Sequence, residues 1–365
     1  MIFRHDLCRR KLLTSNTTVH KSYNELFEIG VTALDLTGVS SKHSEITVQR
    51  LLSADLRGYG SHGIKRLLMY IPRLRKQLIN PTPRIIVKSL APSIKLICGD
   101  NGLGPVVATK GMEKSVEVTR KHGISFIGCR DSNHFGAAGP YVLLACKENF
   151  LALAGTNAFP TMAPFNGLDS LVGNNPVAIG VPFNNSHFVL DISMSVSARG
   201  RIRDFADENL TLPEGWAVTL DGIPTTDPME ALKGFVLPMG LHKGFGLAVA
   251  IDILSGVLTG SGFSDGVKSM LQQWNEPQHI GHFFITLDPS LFMKFESFEN
   301  RMKHLYKKLK SARRISSDVS IHLPGERSAE IEKHRMKHGI PIDVKTLENL
   351  HKFAQGDYDY ETHKY

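Results

Sequence analysis

Two histidines sit where a chain commonly displays reactive groups. The strand-like run ISFIGC (Ile124–Cys129) leads into RDSNHFGAAG, which puts His134 just past a strand end in a polar, glycine-flanked loop. His62 stands in the SHG turn, Ser61–Gly63, between two helical stretches and so at a helix entrance, outside a core. An imidazole with an unperturbed pKa near about 6.5 takes and returns a proton around neutrality, so both suit general acid/base work. Taken alone, each equally fits the commoner role of a structural histidine. Neither has HxxxH or HExxH spacing, so no metal site is expected. Asp191 closes the apolar run FVLDIS and needs a partner if buried; a histidine is the obvious one, though spacing does not say which. In LPMGLHKGFG, His242 and Lys243 lie between glycines ahead of an apolar stretch. A lysine beside helix N-terminal amides suits a phosphate or carboxamide, and equally an exposed turn.

One absence is informative. No GxGxxG follows a strand-like run, and GDNGLG (Gly99–Gly104) has the wrong spacing. A dinucleotide, if bound, therefore does not use the strand, glycine loop and helix of a Rossmann unit. GDNGLG reads as a tight loop leading into a helix.

The elements that must position these groups follow from periodicity. Apolar residues at three- and four-residue spacing predict helices over Tyr23–Leu36, Ser44–Arg57 and Ile64–Leu78. Arg66, four residues past His62, is then expected one helical turn on and on the same face. After Pro81 and Pro83 short strands are predicted at Ile94–Cys98, Ile124–Cys129, Leu151–Gly155, Val177–Val181 and Phe188–Leu190, with a helix over Pro105–His122. Phe245–Leu258 reads as a helix buried on most sides, and Arg301–Arg314 as a solvated basic helix with Met302, Leu305 and Leu309 on its other side. The fold class is mixed α/β. It divides into a basic extension (1–22), an N-terminal helical domain (23–80), a mixed α/β domain (81–291), a C-terminal helical segment (292–355) and a tail (356–365).

Composition sets the bounds. The 365 residues are 42% hydrophobic and 21% charged, ordinary for a soluble enzyme with a sizeable core. No apolar run approaches the ~18–20 residues of a membrane span. The four cysteines form no CxxC pair, which fits a reducing, cytoplasmic setting. The formal net charge of +8 can draw nucleic acid, but it equally draws an anionic cofactor and substrate, and aromatic–basic interleaving is missing. The basic first residues weakly match a mitochondrial transit peptide; a disordered extension is the plainer reading.

Several of these stretches together resemble one family. They are ADLRGYGSHGIKRL (Ala54–Leu67), CGDNGLG (Cys98–Gly104), HGISFIGCRDSNHFGAAGPY (His122–Tyr141), TNAFPTMAPFNG (Thr156–Gly167), GNNPVAIGVP (Gly173–Pro182), LDISMSVSARGRI (Leu190–Ile202), LPEGWAV (Leu212–Val218), GIPTTDP (Gly222–Pro228), LPMGLHKGFGLA (Leu237–Ala248) and IHLPGE (Ile321–Glu326). In this order they resemble the malate/L-lactate dehydrogenase family, whose fold is distinct from Rossmann. The resemblance implies a homodimer with terminal helices packed together, and an oxidoreductase that passes a hydride between NAD or NADP and a small 2-hydroxy or 2-keto acid. It assigns His134 as the main acid/base, His62 as a second acid/base or orienting group, Arg66 with Ser61 to the substrate, and Arg66 in particular to its carboxylate. Asp191 becomes a cofactor- or histidine-orienting residue. The implied cofactor contacts are His187, Phe188, Val189, Leu190, Asp191, Ile192 and Ser193, the pair His242 and Lys243, and the loop of Gly325, Glu326 and Arg327. A cyclic imino acid such as piperideine-2-carboxylate is the alternative substrate; a catalytically dead relative is disfavoured because the matched positions keep their residue types.

Overall fold

The computed structural model of the chain describes residues 18–183 and 187–358. Of the stretch 1–21 read as a possible transit peptide, residues 1–17 lie outside this range. Among the described residues no helix is long and apolar enough to cross a membrane, and no group of His, Cys, Asp and Glu has metal-site geometry.

Helix Tyr23–Asp35 opens with a capping box, in which the Ser22 hydroxyl accepts from the Glu25 amide and the Glu25 carboxylate accepts from the Ser22 amide. It packs on Ser41–Leu56 and, with Leu67–Arg75, buries Leu26, Leu34, Leu51 and Ile71 in one core. Strand Ile340–Asp343 and helix Val344–Ala354 close that core through Ile342, Leu350 and Phe353. Thr18–Lys21 pairs antiparallel with Ile340–Asp343, so a strand begins within the basic extension read from the sequence.

The centre of the molecule is a seven-stranded sheet in the order Ile86–Ala91, Ile94–Cys98, Ile124–Ser132, Ile280–Leu287, Leu151–Thr156, Val177–Val181, Phe188–Ile192. Only Ile94–Cys98 and Ile124–Ser132 run parallel. A doubly wound Rossmann sheet is mostly parallel, so the fold is mixed α/β and not of that type. The middle strand, Ile280–Leu287, lies outside the expected set. Its Phe284 stands opposite Ile127 on one side and Ala154 on the other, stitching distant parts of the chain together.

Two expectations are corrected. The stretch 245–258 forms helix His242–Asp252 followed by a π turn, Ile253–Val257, and only one side is buried, through Gly244, Ala248 and Ile251. Leu247, Ile253, Val257 and Leu258 stay roughly half exposed, because a 3.6-residue period turns them away from the core. The basic helix, Phe295–Lys310, buries no residue fully, and Leu305 and Leu309 are exposed. Its anchor is Tyr306, whose ring lies 4.3 Å from that of Phe183.

Candidate active site

A cleft of about 450 Å³ opens between the N-terminal helices, the ends of the central strands and helix Arg199–Asp207, and Ser61, His62, Arg66 and His134 all line it. The two imidazoles face each other with ring centroids 5.7 Å apart. The residues expected to touch substrate are thus brought together.

His134 follows strand Ile124–Ser132 by two residues, and its loop is pinned from behind. The Asn133 side chain donates to the Asn101 backbone and side-chain oxygens and to the Gly102 carbonyl, so GDNGLG buttresses the histidine loop. The His134 amide donates to Gln278 Oε1 at 3.1 Å. The Gly136 amide reaches His134 Nδ1 at 3.3 Å; a backbone N–H can only donate, so Nδ1 is the acceptor and Nε2 carries the proton. Tyr70 Oη lies 2.7 Å from the same Nδ1 and 3.0 Å from the His134 carbonyl oxygen. That leaves Nε2 as the nitrogen available to a ligand.

The SHG turn is built over a buried carboxylate. Asp55 Oδ2 accepts from the Ile64 amide at 2.6 Å, and a Cβ at Gly63 would stand 1.8 Å from Oδ1, so only glycine fits there. Burial pushes the Asp55 carboxyl up to about 7, with the Ile64 amide and the charges of Arg335 and Lys65 opposing. Contrary to the single-helix expectation, His62 and Arg66 lie on successive 3-10 turns, Gly60–His62 and Ile64–Arg66, broken at extended Gly63. Both still face the cleft, because Arg66 Nε donates to the Ser61 carbonyl at 2.6 Å, which fixes that edge and leaves the Nη nitrogens for a ligand. Ser61 Oγ stands 2.8 Å from His62 Nδ1.

Electrostatics keep both imidazoles neutral. Burial, reinforced by the Arg66 charge, lowers His62 to about 3 and His134 well below the usual histidine range. Arg66 is itself lowered by burial and by Arg203.

Asp191 departs from the expected histidine partnership. Its Oδ2 accepts from the Gly139 amide at 2.7 Å, at the first turn of helix Gly139–Cys146. Edge strand Phe188–Ile192 runs beside that helix start, where an amide otherwise lacks an acceptor. Burial raises the Asp191 carboxyl to about 6.

Two of the three expected cofactor segments meet. The Val189 amide donates to the Pro324 carbonyl at 3.3 Å, laying the loop Gly325–Arg327 against His187–Ser193. A Cβ at Gly325 would stand 2.8 Å from Val189 N, and φ there is +93°, so the loop is a close-packed glycine cradle opening helix Glu326–His338. Such a cradle, with amides at a helix start, fits an extended anionic dinucleotide. The third segment is elsewhere. His242 and Lys243 are exposed at the start of their helix, off the cleft, with His242 edge-on to Phe165.

Tyr70, Gln278, Arg199 and Arg203 were missed. Tyr70 sits in LLMYIPRL, which reads as core, and Gln278 carries no charge or titratable group that singles it out. Arg199 and Arg203, the first and last of the three arginines in SARGRIR, lie four residues apart, a spacing that puts them on one helix face.

The chain matches the malate/L-lactate dehydrogenase family over residues 22–351. It belongs to that family. A malate/(S)-sulfolactate dehydrogenase from Methanothermus fervidus is 38% identical over 88% of this chain and 93% of its own length. Among solved structures, the sulfolactate dehydrogenase of Methanocaldococcus jannaschii superimposes with a TM-score of 0.87 at 34% identity, over 93% of this chain and 97% of that one. A delta1-piperideine-2-carboxylate reductase from Pseudomonas syringae gives 0.84 at 26% identity, over 92% and 99%. Other relatives carry NAD(+) or NADP(+) in their names.

Proposed function

We propose that the chain is an NAD- or NADP-linked dehydrogenase that interconverts a small 2-hydroxy acid and its 2-keto acid. The observation that carries this reading is the convergence of His134, His62 and Arg66 on one cleft. When bound along His187–Ser193 and Gly325–Arg327, the nicotinamide dinucleotide supplies or accepts the hydride at the substrate's C2.

The remaining work falls to this chain's residues. Arg66 takes the carboxylate through its planar fork, with Ser61 holding the guanidinium in place. His134 Nε2 donates a proton to the carbonyl oxygen in reduction and takes it back in oxidation. Beyond burial, the Arg66 charge, ahead of His62 and His282, holds His134 toward its neutral form. A bound carboxylate offsets that charge, so anion binding raises the affinity of His134 for the proton it must deliver. Tyr70 serves both protonation states: it donates to Nδ1 of the neutral ring, or accepts from Nδ1–H of the imidazolium while donating to the His134 carbonyl. His62, tied to Ser61, faces the same substrate as a second orienting group.

The likeness to the piperideine-2-carboxylate reductase supports a second reading, in which a cyclic imine replaces the ketone and the carboxylate site is unchanged. A panel followed at 340 nm, with malate, lactate and piperideine-2-carboxylate and their redox partners and with both cofactors, separates the two. Turnover of the imine alone would overturn the 2-keto-acid reading. The proposal includes a homodimer, supported by the apolar face of Leu247, Ile253, Val257 and Leu258; a monomeric mass in light scattering would contradict it. Free Cys98, Cys129 and Cys146 support a cytoplasmic setting.

A further inference from the structure

The cleft holds more positive charge than one carboxylate requires. Lys65 and Arg66 line it from the SHG turn, and helix Arg199–Asp207 adds Arg199 and Arg203 to the same lining. Positions 199 and 203 are four apart and share a helix face. The three arginines of this helix differ in what they do. Arg199 donates through Nη2 to the Leu232 carbonyl, so its guanidinium is anchored to the protein. Arg201 is exposed and stacks over Trp216 at 5.0 Å from the ring centroid, off the cleft lining. Arg203 is half-buried in the cleft wall, near enough for its charge to act on both Arg66 and Arg199. Three carboxylates also border the cleft, Asp204, Asp207 and Asp343; all are solvent-exposed, and the Asp204 charge acts on Arg66 against that of Arg203. Asp343 is further occupied in capping the Thr346 amide at 2.7 Å. Two elements, the SHG turn and helix Arg199–Asp207, thus each bring a guanidinium to the cleft, Arg66 from the first and Arg203 from the second.

We propose that Arg203 binds a second acidic group of the substrate, a carboxylate or sulfonate at the end away from C1, so that the enzyme selects dianionic 2-hydroxy acids over monoanionic ones. This rests on the dehydrogenase reading and on Arg66 holding the first carboxylate. A guanidinium inside a partly desolvated cleft discriminates strongly between a side chain that pairs with it and one that leaves it unpaired.

The test is kcat/KM at 340 nm for two dianions, oxaloacetate and 3-sulfopyruvate, and two monoanions, pyruvate and 2-oxobutyrate. Wild type should favour at least one dianion by about 100-fold, and which one identifies the acidic group as carboxylate or sulfonate. Arg203→Leu should lose about 100-fold on that dianion, chiefly in KM, and stay within about threefold on the monoanions. Arg203→Lys should restore part of the loss, and Arg203→Glu should push the preference further toward monoanions. Equal use of monoanions and dianions by wild type overturns the proposal. So does an equal loss on all four substrates in the leucine and lysine variants, which marks a role in folding, or an unaltered preference in Arg203→Leu. Turnover of none of the four by wild type overturns the dehydrogenase reading itself, and this assignment with it.

Discussion

Replacing Tyr70 by phenylalanine removes one oxygen and leaves a buried ring that already packs beside His134, with centroids 6.0 Å apart. The core is therefore spared, and the loss is confined to the two contacts at 2.7 and 3.0 Å. In the neutral ring, Nδ1 then keeps only the Gly136 amide at 3.3 Å. In the imidazolium, Nδ1–H faces a donor and has no acceptor, and an unsatisfied buried donor costs about 1–3 kcal/mol. That penalty falls on the protonated form through which His134 works. It converts to a loss in kcat of about 5- to 150-fold. The acid form also becomes harder to populate, so the pH at which 2-keto-acid reduction fades should move down. The assay is steady-state reduction at 340 nm from pH 5 to 9, with cofactor affinity measured separately by fluorescence. A Tyr70→Phe variant with kcat within twofold of wild type across that range would refute the reasoning.

His134→Ala should lower turnover by roughly 10²–10⁴-fold with nicotinamide affinity nearly unchanged; near-normal turnover would move the acid/base role to His62. Arg66→Leu should cost kcat/KM for 2-keto acids about 30- to several-thousand-fold, Arg66→Lys should rescue only in part, and retained activity in the leucine variant would show that Arg66 is not the clamp. Asp55 tests the pH linkage of the SHG turn. Its carboxyl is raised from 3.8 to about 7, so the folded state holds the proton over that window, and the stability tied to it falls as pH rises through 7. Asp55→Asn should therefore gain stability relative to wild type on going from pH 5 to pH 8, by about 2–3 kcal/mol in chemical denaturation; no pH dependence in that difference would place the carboxylate in water.

The groups legible in the sequence were those carried by local signals. His134 could be placed because an apolar strand ends just before it, and His62 because Gly58 and Gly60 break the helix ahead of it. The cofactor segments at 187–193 and 325–327 could be named only through the family resemblance. Their contact across Val189 and Pro324 joins residues far apart in sequence. Tyr70 was hidden for the opposite reason: it lies in an apolar helix and supplies one polar atom to the site. Ile280–Leu287 has the β-branched and aromatic content of a strand and is bounded by Pro277 and Asp288, yet it is absent from the expected strands. Its place at the middle of the sheet has no local signal at all, because strand order is set by pairing between distant segments. The partner of Asp191 was misjudged because a helix start is invisible as an acceptor-seeking group until the helix is placed beside the strand.

The central claim is hydride transfer to C2 of a 2-keto acid, and isotope tracing tests it most directly. Full-length protein is supplied with NADH or NADPH bearing deuterium at C4, on either face of the ring, together with oxaloacetate or pyruvate, and the product is examined by mass spectrometry. The account predicts a 2-hydroxy acid one mass unit heavier, with the label at C2 from one face only, and loss of that product in His134→Ala. Consumption of neither cofactor, or a product without deuterium at C2, would contradict it.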